Sequence, residues 1–427
     1  MLARSSEPAT ASSLLGLLPE EISGMVCFRT VELTGRTVEE SVLEPYLKEI
    51  TGMSARSEEY TLGVEEEYQI VDPETREVRA EGGQDVVERA QEALDEKAAP
   101  EILASQLETM SPVCSTLAEV RAELLRLRRE ASEAAAKEGR RIAAASTHPF
   151  SHWQDQQVTP KKRYRNIMEE YQRLAEELLA FGFHVHVGLS DREAAVQVMN
   201  RLRVWLAPML ALSANSPFWL GADTGYASYR MQVWGRLPSA GQPAPFESLE
   251  EYDTLVKALV ASGVVAEPTK IYWDIRLSEH AETIEFRIMD VCSSVDEVVA
   301  LAGLSRALVR TCHEQAEREE PYPKARPELV RAAHWRASRD GLDAELVDLE
   351  AGRAVPARGM IEKLLAFARP ALEESGDWEE VSSLACETLE QGNGATRQRR
   401  AYERTGRLQD VVDMLIQETA AEGTGST

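Results

Sequence analysis

Cationic side chains are scarce in this chain: 47 lysines and arginines face 72 aspartates and glutamates, a formal charge of −25 over 427 residues. That balance argues against a general nucleic-acid or anionic-membrane surface, while leaving room for a local basic pocket. No stretch reaches the roughly 18 consecutive apolar residues that span a bilayer. The N-terminus lacks a basic segment followed by a long apolar core, so no secretory signal is expected. The five cysteines, Cys27, Cys114, Cys292, Cys312 and Cys386, are dispersed without CxxC spacing. They read as reduced, mostly buried thiols of an intracellular protein, and a cytoplasmic location is the default expectation. The glycine signatures for phosphates are missing too: there is neither GxxxxGK[ST] nor a plausible Rossmann fingerprint.

What is present suffices for a large core, because 43% of the residues are hydrophobic and 28% charged, as in soluble globular proteins. Residues 1–58 differ from the rest and read as an appendage, partly disordered and dispensable for chemistry, with short helices at most over Leu14–Glu21 and Val38–Ile50. Residues 59–427 form the main domain. Capping boxes at Thr116–Glu119, Ser190–Asp191–Arg192–Glu193 and Ser294–Glu297 open helices, since each pairs a hydroxyl with an acid three residues on. A further helix is expected over Tyr164–Leu179, and residues 320–420 read as mostly helical with one turn-like interruption at Asp348–Pro356. Strands separated by helices, some in adjacent antiparallel pairs, predict an α+β fold with helices on one face of the sheet.

Four strand-like segments carry acids, histidines or arginine where a core is expected. In Thr61–Ile70, Leu62, Val64, Tyr68 and Ile70 share one face with Glu66, and Glu65, Glu67 and Gln69 share the other, because strand side chains alternate. In Phe181–Gly188 the apolar face is Phe183, Val185 and Val187 and the polar face His184 and His186. Glu285 and Arg287 stand opposite Ile284, Phe286 and Ile288, and Gln106 and Glu108 share a face. Singly, each fits a solvated edge, a satisfied histidine or a cross-strand ion pair. Together they imply one sheet with a polar, functional surface.

Carboxylates crowded on a dry face repel one another, and a divalent cation relieves the repulsion. Glu65, Glu67, Glu108, Glu285 and His184 offer hard oxygens and an imidazole without thiolate, which suits Mg²⁺ or Mn²⁺. Acids around such ions can hold a nucleotide triphosphate where no Walker lysine exists. Arg287, two residues after Glu285, is placed to share a metal-bound phosphate. Arg276 and Arg230 are further phosphate candidates, each open to an ion-pair reading instead. His186 either joins the ligands or simply hydrogen-bonds. His148 reads as a turn or core histidine, Asn215 sits in a loop able to line a pocket, and Gly392–Ala395 caps a helix or binds an anion.

Assembled in order, these segments resemble the type 2 glutamate–cysteine ligase family of ATP-dependent carboxylate–amine ligases. The matching stretches are LGVEEEYQIVDPET (62–75), SQLETMSPVC (105–114), THPF (147–150), FHVHVGLSDREAA (183–195), ALSANSPFW (211–219), DTGYASYRMQVW (223–234), TIEFRIMDVC (283–292) and GNGATRQRRAY (392–402). They cover about Tyr60 to Leu415. The resemblance implies a glutamine-synthetase-like fold, a curved antiparallel sheet holding ATP and Mg²⁺. It also implies that Glu65, Glu67, Glu108, His184 and Glu285 are metal ligands and that Arg287 contacts the transferred phosphate. The expected substrates are glutamate, ATP and cysteine or another amine, joined through an acyl phosphate; a homo-oligomer is allowed. A guanidino-kinase-like phosphotransferase and a non-catalytic nucleotide sensor stand as other readings, the complete acid set counting against the second.

Overall fold

The computed structural model describes residues 60–420 and, before them, the backbone of an antiparallel pair, Thr30–Leu33 (β1) with Arg36–Glu39 (β2). The chain divides into two units, Met1–Arg56 and Ser57–Thr427. Apart from β1 and β2, the stretch 1–58 on which the expected disorder and the helix over Leu14–Glu21 fall lies outside the described residues. The helix expected over Val38–Ile50 is contradicted at its start, where β2 runs through Glu39.

The main unit grows outward from Leu62–Val71 (β3), whose alternation of buried and half-buried positions follows the sequence pattern. Around it lie Ala98–Pro100 (β4), Gln106–Met110 (β5), Arg141–Ala143 (β6), Phe183–Gly188 (β7), Ile275–Leu277 (β10) and Thr283–Phe286 (β11). Two small hairpins complete the strands: Phe218–Trp219 (β8) with Ala222–Asp223 (β9), and Glu345–Asp348 (β12) with Arg353–Pro356 (β13). The large sheet runs β10-β11-β7-β3-β5-β4, with antiparallel neighbours throughout. Along one edge of β3, β7 pairs from Leu62 to Glu66 and β6 takes over from Gln69 to Val71. The fold is therefore α+β with a mainly antiparallel sheet.

Helices cover the apolar face. Leu117–Lys137 and Val295–Glu317 both open on the expected capping boxes, with Thr116 and Ser294 as caps. The helix expected over Tyr164–Leu179 is broken at Gln172, whose φ of 51° interrupts it between Lys162–Tyr171 and Arg173–Glu176. The interruption expected near Asp348–Pro356 is the β12–β13 hairpin, and helices fill the rest of the C-terminal region to Ala420. Asn393 caps Gly394–Thr405 by accepting from the Thr396 N–H, so Gly392–Ala395 serves as a helix start. Of the described cysteines, Cys114, Cys292 and Cys312 are buried, Cys386 is exposed, and all four are free thiols. Among the described residues no helix is long and apolar enough to cross a membrane.

Glu66 is the one acid that β3 sends into the core, and it is fully buried. Arg128, from Leu117–Lys137, pairs with it in a salt bridge whose Nε lies 3.2 Å from Oε2, and the Tyr68 hydroxyl donates to the same oxygen at 2.8 Å. The guanidinium also donates to the carbonyls of Ser293 and Cys292, at 2.6 and 2.9 Å. This pins the start of Val295–Glu317 to the sheet. Breaking such a pair strands a buried charge, whereas removing both charges does not. Arg128→Met should therefore lower unfolding free energy by about 3–5 kcal/mol, and adding Glu66→Gln should recover much of it. Urea titration of the single and double variants checks this; equal losses in both would refute it.

Candidate active site

Strand register assembles the polar face. Glu65 lies opposite His184, Glu67 opposite Glu108, and Glu285 opposite both His186 and Arg276. The side chains line a cavity of about 650 Å³ that also contains Arg287. Glu65, Glu67, Glu108, His184, His186, Glu285, Arg276 and Arg287 are thus brought together.

Among the described residues, Glu65, His186 and Glu285 form a cluster with one ligand atom from each within 4.8 Å of the others. His184 Nδ1 stands 2.8 Å from Glu65 Oε2 and 4.0 Å from Glu285 Oε1. His186 Nε2 lies 3.3 Å from Glu65 Oε1 but lacks hydrogen-bond alignment, and its Nδ1 faces the Thr283 hydroxyl at 2.9 Å. Burial alone would raise the Glu65 pKa; the two imidazoles outweigh it and hold the carboxylate well below its usual range. Burial pulls His184 down to about 4. It would pull His186 down as well, but Glu65 overcomes it and the net shift is upward.

Glu285 is saturated by cations. Arg276 donates from Nε to Oε2 at 2.7 Å and braces itself on the carbonyls of Thr269 and Ile271, at 2.8 and 2.9 Å. Arg287 pairs with Oε1. Burial would raise this carboxyl, yet Arg287 and Arg276 drive it far below the ordinary range.

The opposite side of the cavity carries uncompensated acids. Burial and the neighbouring Glu101 push Glu67 up to about 8, although its Oε2 accepts from the Gly182 N–H at 2.7 Å. Glu108 is raised well above its usual value by burial and then by Glu101, Glu65 and Glu67. Glu101 is itself raised, chiefly by burial. A site whose acids resist ionisation beside one another suits a cation. The oxygen-rich donor set, the imidazoles and the absence of thiolate fit Mg²⁺ or Mn²⁺.

Glu101 escaped the sequence reading. It follows β4, a strand too short to display alternation, but Ala99 lies opposite Glu108, so a residue two positions on returns to the same face. Arg163, Tyr164, Trp234 and Tyr272, also in the cavity wall, come from helices and loops with no strand pattern to betray them.

Two expected residues lie outside the wall. Arg230 is buried, and its guanidinium donates to the backbone carbonyls of Arg287 and Ile288, at 3.2 and 3.5 Å. Asn215 is buried in a network around Asp290, which accepts from the Asn215 N–H at 2.9 Å and from the hydroxyls of Ser216 and Ser228 at 2.6 and 2.8 Å. Its amide bonds to the carbonyls of Ala144 and Val291, so it holds the loop instead of lining the cavity. His148 is a buried turn histidine, its Nδ1 accepting from the Ser151 N–H at 2.9 Å.

Residues 61–414 match the family described as glutamate–cysteine ligase family 2. A provisionally named glutamate–cysteine ligase 2-2 of Frankia alni is 44% identical over 375 residues, covering 84% of this chain and 97% of its own. A provisionally named glutamate–cysteine ligase 2 of Roseiflexus castenholzii is 40% identical over 360 residues, covering 84% and 94%. Among solved structures, the glutamate–cysteine ligase of Francisella tularensis in complex with AMP superposes with a TM-score of 0.64 at 11% identity, over 85% of this chain and 89% of that one. A bifunctional glutathione synthetase of Pasteurella multocida gives 0.62 at 16% identity, over 88% and 54%. At such identities the structures speak for the fold, whereas the sequence match spans most of the chain. This chain belongs to the glutamate–cysteine ligase family 2, ATP-dependent ligases that form an amide bond.

Proposed function

We propose that the chain joins the γ-carboxylate of glutamate to the amine of cysteine through a γ-glutamyl phosphate, releasing ADP and phosphate. The observation that carries this reading is the gathering of Glu65, Glu67, Glu101, Glu108 and Glu285 with two histidines and Arg287 in one cavity. Family membership suggests the substrates; the geometry supports the chemistry. In the first step a carboxylate oxygen attacks the terminal phosphorus of ATP, and the bond to the departing ADP oxygen breaks. In the second the amine nitrogen attacks the acyl carbon, phosphate leaves, and the nitrogen gives up a proton. Neither step needs a nucleophilic side chain, so the residues act by binding, orientation and electrostatics.

Glu65, Glu67, Glu101, Glu108, Glu285 and the two histidines would hold Mg²⁺ or Mn²⁺. Bound there, divalent ions neutralise and orient the nucleotide phosphates. Arg287 keeps one donor in reserve: its Nε is buried without a hydrogen-bond partner. That donor supports a contact with the transferring phosphoryl group. Arg276, engaged on Glu285 and two carbonyls, serves to orient Glu285.

Turnover should require Mg²⁺ or Mn²⁺ and stop on chelation. Glu108→Gln should abolish most activity while its thermal midpoint stays level or rises, because a repelled acid has been removed. Full turnover in that variant would undo the metal reading.

Arg287→Lys should lower kcat by roughly 10² or more, the scale of one lost transition-state donor, since an ammonium cannot reproduce the guanidinium fork. ATP affinity should fall much less. A variant that melts earlier but keeps its kcat would make Arg287 only the partner of Glu285.

Incubation with ATP, Mg²⁺, glutamate and a panel of amines, read by product mass, should give the glutamate–cysteine condensation product with matched ADP and phosphate. Consumption of a different amine would correct the substrate and leave the reaction class standing. A stable phosphorylated product without an amide would overturn the proposal in favour of phosphotransfer.

A further inference from the structure

The helix Lys162–Tyr171 and the residue before it place four cations in five positions: Lys161, Lys162, Arg163 and Arg165. A helix N-terminus already carries partial positive charge, so cations there are locally unfavourable. No acid stands in the first turn and no side chain caps it. Local rules broken without compensation point to function.

The cavity supplies the second observation. Three arginines line it: Arg163, Arg276 and Arg287. Arg276 and Arg287 are both committed to Glu285. Arg163 makes no ion pair among the described residues, although its charge is felt by Glu101 and Glu108. Its position is fixed from below. Tyr164 is buried in a satellite core with Ile167, and its hydroxyl donates to the Pro100 carbonyl at 2.7 Å, one residue before Glu101. The backbone of Arg163 is therefore anchored at the rim of an acidic cavity, and its exposed guanidinium, 5.8 Å from the centre of the Tyr164 ring, is paired with no acid among the described residues.

We propose that Arg163, flanked by Lys161 and Lys162, receives an anionic oxygen group of a substrate, a carboxylate or a nucleotide phosphate, as it enters the cavity. An anion approaching this many carboxylates is repelled. A cation at the mouth that none of those acids has neutralised reverses the local field, and its planar fork matches two oxygens at once. Meeting Arg163 also breaks no existing ion pair.

The inference rests on the ligase reading for the choice of ligands, but its test does not need turnover. Calorimetric titration would measure Mg–ATP, L-glutamate, L-cysteine and cysteamine, which lacks the carboxylate, against the wild type, Arg163→Gln and Arg163→Lys. Arg163→Gln should weaken an anionic ligand by roughly tenfold or more, the scale of a charge-assisted hydrogen bond, with Arg163→Lys recovering part of the loss. Weakening of Mg–ATP alone would identify the phosphate. Weakening of glutamate or of cysteine, with cysteamine unmoved, would identify a carboxylate. Unchanged affinities throughout, equal losses for cysteine and cysteamine, or no binding of any anion to the wild type would overturn the proposal. Failure of the wild type to form an amide would instead remove the ligase reading and leave the affinity comparison intact.

Discussion

Everything at the site depends on one costly arrangement: several carboxylates held within reach of one another on the buried polar face of a sheet. Charges in that position repel, and the protein cannot relieve the repulsion by letting them drift. Their positions follow from register, because Glu67 faces Glu108 and Glu65 faces His184 across antiparallel pairs. A slip of one residue would send the acids into the core and Leu62, Val64, Tyr68 and Ile70 into the cavity. The hydrophobic effect on one face thus fixes the electrostatic strain on the other.

The strain is distributed unevenly. On the β11 side, Glu285 is satisfied twice over by Arg276 and Arg287 and stays ionised. On the β3–β5 side, Glu67, Glu101 and Glu108 have no such partners among the described residues, and their affinity for protons is raised. One half of the cavity therefore meets its carboxylate with the protein's own arginines and the other does not. Glu65 sits between them, held ionised by two imidazoles. That asymmetry sets arginine donors beside Glu285 at one end of the carboxylate set and leaves the acids at the other end to repel one another.

The sequence was most legible where period and chemistry agreed. Alternation in β3, β7 and β11 located the functional face, since apolar neighbours at every second position left only one direction for the acids and histidines. The capping boxes of Leu117–Lys137 and Val295–Glu317 were readable because the cap residue and its acid are three positions apart. Legibility ended where long-range contacts decide. Glu101 follows a three-residue strand, and Arg163 lies on a helix that reaches the cavity through the Tyr164–Pro100 hydrogen bond. The break at Gln172 was equally hidden, because glutamine carries no sign of the positive φ it adopts. Glu66 was placed correctly on the apolar face, but nothing local named Arg128, 62 residues away, as its counterion.

Arg230 shows how the two layers of the molecule connect. From sequence it is a phosphate candidate; in the structure its guanidinium is spent on the carbonyls of Arg287 and Ile288, behind the wall of the cavity. Asp290 lies close enough to favour its charge, although burial leaves its pKa lowered on balance. Asp290 in turn gathers the Asn215–Ser216 loop and Ser228. The chain after Glu285 is thus fastened from behind by a buried guanidinium, near a buried Asp290 whose carboxylate has three hydrogen-bonded neighbours of its own. Arg287 therefore meets the cavity from a backbone that is held in place, and from there its side chain reaches Glu285 with its Nε unpartnered.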